Sequence, residues 1–108
     1  MSGSSPTFLI IEDHALFRVG LGMMLEQAWP EADIQAVASL AQAREALAER
    51  GPQPDLVLLD IRLPDGDGLA ALPSLRDQAR GAPVLAMSAD VDADVVRRAR
   101  DQGAAGCL

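Results

Sequence analysis

Four consecutive apolar residues, Phe8 to Ile11, stop abruptly at Glu12 and Asp13. A short apolar run with β-branched members predicts a buried strand. From Ala15 the period lengthens. Leu16, Val19, Leu21, Met24, Leu25 and Ala28 recur at helical spacing until Pro30, which predicts a helix with Asp13 or His14 at its start. Ile34, Ala36 and Val37 make a weaker second strand, and Ser39 is placed to cap a helix over Leu40 to Arg50 that Gly51-Pro52 ends. Leu56 to Leu59 form a third buried strand that ends at Asp60. A loop from Ile61 to Gly68 follows, rich in Pro, Gly and Asp. Leu69 to Arg80 reads as a helix, with Pro73 either in its first turn or at a bend. Pro83 to Met87 is a fourth strand, Val91 to Gln102 a helix with Gly103 beyond its end, and Ala105 to Leu108 the beginning of a fifth strand.

Apolar strands that alternate with helices predict one α/β domain, a parallel sheet with helices on both faces. Ligands in such sheets bind beyond the C-terminal ends of the strands, near the switch in strand order. A fifth strand that starts at Ala105 has no room to finish. Either the domain is naturally short or the chain is cut, and truncation is the expectation.

Composition narrows the function. Hydrophobic residues make up 49% and aromatics 3%, so the core is aliphatic. The 16 acidic residues exceed the 9 basic ones, for a net charge of -7, which disfavours a grip on nucleic acid through its phosphates. No apolar run approaches the about 18 residues of a membrane span, and the opening MSGSSPT lacks the basic and apolar parts of a signal peptide. A cytoplasmic location is the expectation. Cys107 has no cysteine partner and reads as a small buried residue. His14, the only histidine, makes a poor zinc site by itself and reads as structural or rim.

The chemistry lies at the strand ends. Glu12 and Asp13 end the first strand, Asp60 the third and Ser88 the fourth, so the fold should gather them into one crevice. Singly, each has a plainer reading: the acidic pair as a helix cap, Ser88 as a turn residue. Together, clustered carboxylates repel one another and invite a cation. All-oxygen ligands suit a hard divalent ion such as Mg²⁺. A carboxylate can also act as nucleophile toward a phosphoryl group. Gly66 and Gly68 are turn glycines rather than a phosphate loop, which would need a Lys-Ser or Lys-Thr pair.

Four segments carry a family resemblance: "FLIIEDHALFRVGL", "PDLVLLDIRLPDGDGL" with Asp-x-x-x-Pro-x-x-x-Gly at Asp60, Pro64 and Gly68, "PVLAMSA", and "DQGAAGCL". The chain resembles the receiver domain of bacterial two-component response regulators. The Glu-Asp-His run and the Gly-Ala-x-Gly ending look most like the subfamily with a LuxR-type helix-turn-helix as second domain. The resemblance implies a flavodoxin-like, doubly wound (βα)5 fold over 7–108, truncated in or after the fifth strand, behind a flexible segment 1–6. It implies that Asp60 is the phosphoacceptor. It makes Glu12, Asp13, Asp60 and the main-chain carbonyl of Arg62 the Mg²⁺ site. Ser88 becomes the switch hydroxyl, and Ala89 the small neighbour that gives the phosphoryl group access. A sensor histidine kinase is the implied partner, with DNA contacted only through a domain outside this chain.

Two departures stand out. The family's lysine in the exit loop of the fifth strand would fall beyond Leu108. Cys107 stands where many members carry a switch Tyr or Phe. The lost cover over one flank of the first helix predicts homo-oligomers. The implied activity is a signalling module that catalyses only its own phosphorylation and slow dephosphorylation. The rival readings are a phosphate-independent interaction module and a phosphohydrolase that would recruit Asp65 or Asp67 as acid or base.

Overall fold

A computed structural model describes residues 5–49, 53–88 and 93–107. Ala89, Val91, the helix stop at Gly51-Pro52 and Leu108, all named above, lie outside the described residues. The elements run β1 (Thr7–Ile11), α1 (Ala15–Ala28), β2 (Asp33–Val37), α2 (Leu40–Ala48), β3 (Leu56–Asp60), β4 (Arg62–Leu63), β5 (Gly66–Asp67), α3 (Gly68–Gln78), β6 (Val84–Met87), α4 (Ala93–Asp101) and β7 (Gly106–Cys107). Five strands form a parallel sheet in the order β2-β1-β3-β6-β7. This is the expected doubly wound, flavodoxin-like arrangement. The order reverses between β1 and β3, the point at which such sheets open a ligand crevice.

Alternation along the strands divides the interior in two. Leu9 and Ile11 of β1, Val57 and Leu59 of β3, and Val84 and Ala86 of β6 face the main core, closed by Leu40 and Ala43 of α2, Leu69, Leu72 and Leu75 of α3, and Ala99 of α4. The opposite face is thinner. Ile10, Leu58 and Met87 are buried there, with Leu21 and Leu25 of α1 packed against them.

The expected apolar face of α1 is therefore only partly used. None of its residues is buried, and Leu16 is 86% and Met24 67% exposed. Apolar residues run almost all round this helix, while only the line through Leu21 and Leu25, one turn apart, reaches the sheet. Its far end is fixed by Trp29, whose ring lies 5.3 Å from that of buried Phe8.

Local signals explain most boundaries. Ser39 caps α2 by accepting from the Gln42 N–H, and the Gln42 side chain reaches back to accept from the N–H of Ala38, just before the cap. Gly103, at φ 96°, lets the chain turn out of α4, with the Ala104 N–H bonded to the Ala99 carbonyl. Several boundaries differ from expectation: α2 ends at Ala48 rather than Arg50, and α3 at Gln78 rather than Arg80. The loop after Asp60 contains the small antiparallel hairpin β4–β5, and α3 starts at Gly68 rather than Leu69. Pro73 lies inside α3, past its first turn, where it withholds the donor that the Leu69 carbonyl would otherwise receive.

Candidate functional site

Strand register brings the acids together. Ile11 pairs with Leu59 and Asp60 with Met87. Glu12, Asp60 and Ser88 therefore emerge side by side at the C-terminal edge of three adjacent strands. The Glu12 N–H bonds to the Val37 carbonyl of β2 at 3.0 Å, which holds the β1 exit against its outer neighbour. One carboxylate oxygen from each of Glu12, Asp13 and Asp60 lies within 4.8 Å of the others. They open into a cavity of about 600 Å³ that also touches His14, Phe17, Leu21, Arg62, Met87 and Ser88.

The three acids differ in exposure. Asp13 is exposed, Asp60 half-buried and Glu12 only 5% exposed. Burial raises the Glu12 carboxyl from its ordinary 4.5 to about 8, with a hydrogen bond from its protonated form to Asp60 and the charges of Asp60 and Asp13 acting in the same direction. Glu12 Oε2 is buried without a hydrogen-bond partner. An orphaned buried oxygen beside two further carboxylates fits a hard divalent cation, which would satisfy the oxygen and offset the repulsion. The cluster is a Mg²⁺ site by its donor chemistry. Arg18, on α1, turns its guanidinium to the Glu12 main-chain carbonyl at 2.8 Å and thereby steadies the strand exit without entering the carboxylate cluster.

Asp60 is held from its own loop. The Arg62 N–H donates to Asp60 Oδ1 at 3.0 Å. Gly68 explains why the loop returns so closely. A Cβ there would stand 2.6 Å from the Asp60 carbonyl oxygen and 2.7 Å from Ile61 Cα. No side chain fits, and the Gly68 N–H bonds instead to the Ile61 carbonyl at 2.9 Å.

The two aspartates of that loop are committed elsewhere. Asp65 accepts from the Leu40 and Ala41 N–H groups with its two oxygens, each at 3.0 Å, and this holds its carboxyl below the usual range. Asp67 caps α3 by accepting from the Leu69 N–H, while its other oxygen faces Arg98 of α4. Neither is poised as an acid or base toward Asp60, which removes the geometric basis for a phosphohydrolase.

The remaining candidates fall as follows. Ser88 is half-buried and lines the cavity. His14 is exposed on the rim, at the N-cap position of α1 but without a side-chain cap bond. Cys107 is half-buried against the main core. Sequence reasoning did not assign the apolar wall of Phe17, Leu21 and Met87. It also left Asp65 and Asp67 unplaced. Asp67 had a local signal, an Asp directly before a helix, but the bond from Asp65 crosses 25 positions and had none.

Comparison with known proteins agrees with this geometry. The family model described as response regulator receiver domain matches residues 8–108. The chain is 36% identical over 100 residues to the glycerol metabolism activator of Pseudomonas putida, covering 93% of this chain and 45% of that protein. It is 33% identical over 109 residues to the nitrate/nitrite response regulator protein NarL of Escherichia coli (strain K12), covering 100% of this chain and 50% of that one. The chain thus spans about half the length of these relatives. Among solved structures, the signal receiver domain of a DNA binding response regulator from Colwellia psychrerythraea 34H superposes with a TM-score of 0.87 at 28% identity, over 96% of this chain and 85% of that one.

Proposed function

This chain belongs to the response regulator receiver domain family, and from that premise we propose that Asp60 is the phosphoacceptor through which its whole protein receives a signal from a sensor histidine kinase. The cluster of Glu12, Asp13 and Asp60 is a phosphoacceptor and Mg²⁺ site of the receiver type. The observation that carries the assignment of Asp60 is its place at the end of β3 beside Glu12 and Asp13, half-buried at the cavity, with one oxygen fixed by the Arg62 N–H.

In this reading the Asp60 oxygen that does not take the Arg62 N–H attacks the donor phosphorus in line. An O–P bond forms as the bond to the donor's histidine nitrogen, or to the leaving oxygen of an acyl phosphate, breaks. Glu12, Asp13, Asp60 and the Arg62 carbonyl would hold Mg²⁺, which when bound would supply positive charge to offset that of the carboxylates and the phosphoryl oxygens. Ser88, beside the cavity, donates its hydroxyl to the new phosphoryl group, and Ala89 leaves it room. The exposed surface of α4 then shifts. That surface governs dimerisation or an attached output domain. A LuxR-type DNA-binding domain is the proposed output, which makes the whole protein a regulator of transcription.

The domain begins at residue 7, behind the short segment 1–6. No helix among the described residues is long and apolar enough to cross a membrane, and the cytoplasm is the proposed location. We also propose that this chain self-associates through α1, because Leu16, Phe17, Val19, Met23 and Met24 lie exposed on one helix.

The test is incubation with Mg²⁺ and acetyl phosphate followed by intact mass, with Asp60→Asn and a chain extended past Leu108 alongside. Gain of one phosphoryl group, lost in Asp60→Asn, is expected. Gain in Asp60→Asn refutes the acceptor assignment. Gain only in the extended chain places the missing element beyond Leu108. No gain in either folded chain favours a phosphate-independent interaction module.

A further inference from the structure

The hairpin that carries Arg62 has only two paired residues per strand, Arg62 with Asp67 and Leu63 with Gly66. So short a ribbon is not stable alone and takes its position from what it touches. Buried Leu63 anchors its first strand in the main core. Gly68, packed under Asp60, anchors its exit on the α3 side. On the α2 side the tip is tied by Asp65, whose two oxygens take the Leu40 and Ala41 N–H groups at 3.0 Å each. Gly66 adds a close approach, since a Cβ there would stand 2.9 Å from Leu40 Cδ1.

Capping alone does not account for Asp65. Helix α2 already has a side-chain cap within its own sequence, Ser39 accepting from the Gln42 N–H. Asp65 arrives from a loop 25 positions away and takes the next two free N–H groups. The charge of its carboxylate is suited to that helix end. The bond therefore fixes the loop as much as the helix.

We propose that Asp65 is a positioning residue for the Mg²⁺ site: by clamping the hairpin tip to the start of α2 it fixes the Arg62 peptide, and through it both the Asp60 carboxylate and the carbonyl offered to the ion. The inference rests on the reading of Glu12, Asp13, Asp60 and Arg62 as that site. It concerns a contact that touches neither the ion nor the phosphoryl group.

The test compares Asp65→Ala, Asp65→Asn and Ser39→Ala with the unsubstituted chain. Ser39→Ala removes a cap from the same helix end without touching the acceptor loop. Mg²⁺ affinity is measured by calorimetric titration, thermal stability by circular dichroism, and phosphoryl uptake from acetyl phosphate over a range of Mg²⁺ concentrations. Partners that orient metal ligands typically change affinity by about 10-fold or more when removed, so Asp65→Ala is expected to weaken Mg²⁺ about 10-fold. Asp65→Asn, which keeps one acceptor oxygen, should fall between it and the unsubstituted chain. Ser39→Ala should lose stability with unchanged Mg²⁺ affinity. At saturating Mg²⁺ the uptake rate of the Asp65 variants should recover, since the carboxylates are intact. Unchanged Mg²⁺ affinity in the Asp65 variants, or equal weakening in Ser39→Ala, overturns the inference and leaves the site assignment standing. Failure of the unsubstituted chain to bind Mg²⁺ overturns both. If Asp65→Ala does not fold, Asp65→Asn carries the same comparison.

Discussion

Glycine-to-alanine substitution should have opposite signs at two places in this chain. At Gly20 and Gly22, inside α1, an added Cβ meets nothing within 4 Å. Each change should stabilise by about 0.5–1 kcal/mol, the propensity difference between glycine and alanine in a helix. At this size that raises the melting temperature by about 4 °C per kcal/mol. At Gly68, the first residue of α3, the same gain is available in principle and the space is not. The Cβ would stand 2.6 Å from the Asp60 carbonyl oxygen and 2.7 Å from Ile61 Cα. Both are main-chain atoms, so no rotamer change relieves the contact. Either the acceptor's own peptide moves or the start of α3 does, and overpacking of this kind costs about 1–3 kcal/mol. Gly68→Ala should therefore destabilise despite its better helix propensity, and it should reduce phosphoryl uptake by Asp60 more than its stability loss explains. Urea titration of the Gly20→Ala and Gly68→Ala chains, with acetyl phosphate labelling under folding conditions, reads both quantities. A Gly68→Ala chain as stable and as readily phosphorylated as its parent would refute the close-packing argument.

Other outcomes follow from the same structure. Leu72 is fully buried in the main core, so Leu72→Ala should cost about 2–5 kcal/mol in urea unfolding; a loss well under that would mean the α3 contact is poorly packed. Glu12 carries a pH dependence of definite sign. Its folded value of about 8 exceeds the ordinary 4.5, so in between the folded chain keeps a proton that the unfolded chain has released. That contribution to stability is whole below about pH 4.5 and is lost as pH rises through about 8. Melts without metal should therefore fall between pH 5 and 8, excess Mg²⁺ should flatten the fall, and Glu12→Gln should abolish it; a metal-free profile that rises over this range contradicts the burial of Glu12. Static light scattering should find the chain larger than a monomer, with Val19→Glu or Met24→Glu on the open flank of α1 reducing the mass; a monomer at high concentration removes the case for self-association through this helix.

The sequence alone determined the succession of elements and the chemistry of the site. Apolar runs ending at Asp13, Asp60 and Ser88 are local signals, and a parallel sheet allows few ways to arrange them. Glu12, Asp13 and Asp60 were readable as one cluster because they lie at strand ends, and register then sets Glu12 level with Asp60. Ser39 and Gly103 were readable as helix ends because capping is a property of neighbouring residues. Only tertiary structure decided the rest. The apolar pattern of α1 could not say which of its sides would meet the sheet, and it is the Leu21–Leu25 line that does. The hairpin after Asp60 gave no periodic signal because two residues per strand are too few to alternate. Glu12 and Asp13 are adjacent acids in sequence and share one cluster, yet one is buried with an orphaned oxygen and the other is exposed, a difference set by what the fold packs around each. Asp65 looked like any loop aspartate until the fold set the start of α2 against it. Its partners are backbone N–H groups, which every residue but proline carries, so no residue type in the sequence could have marked them.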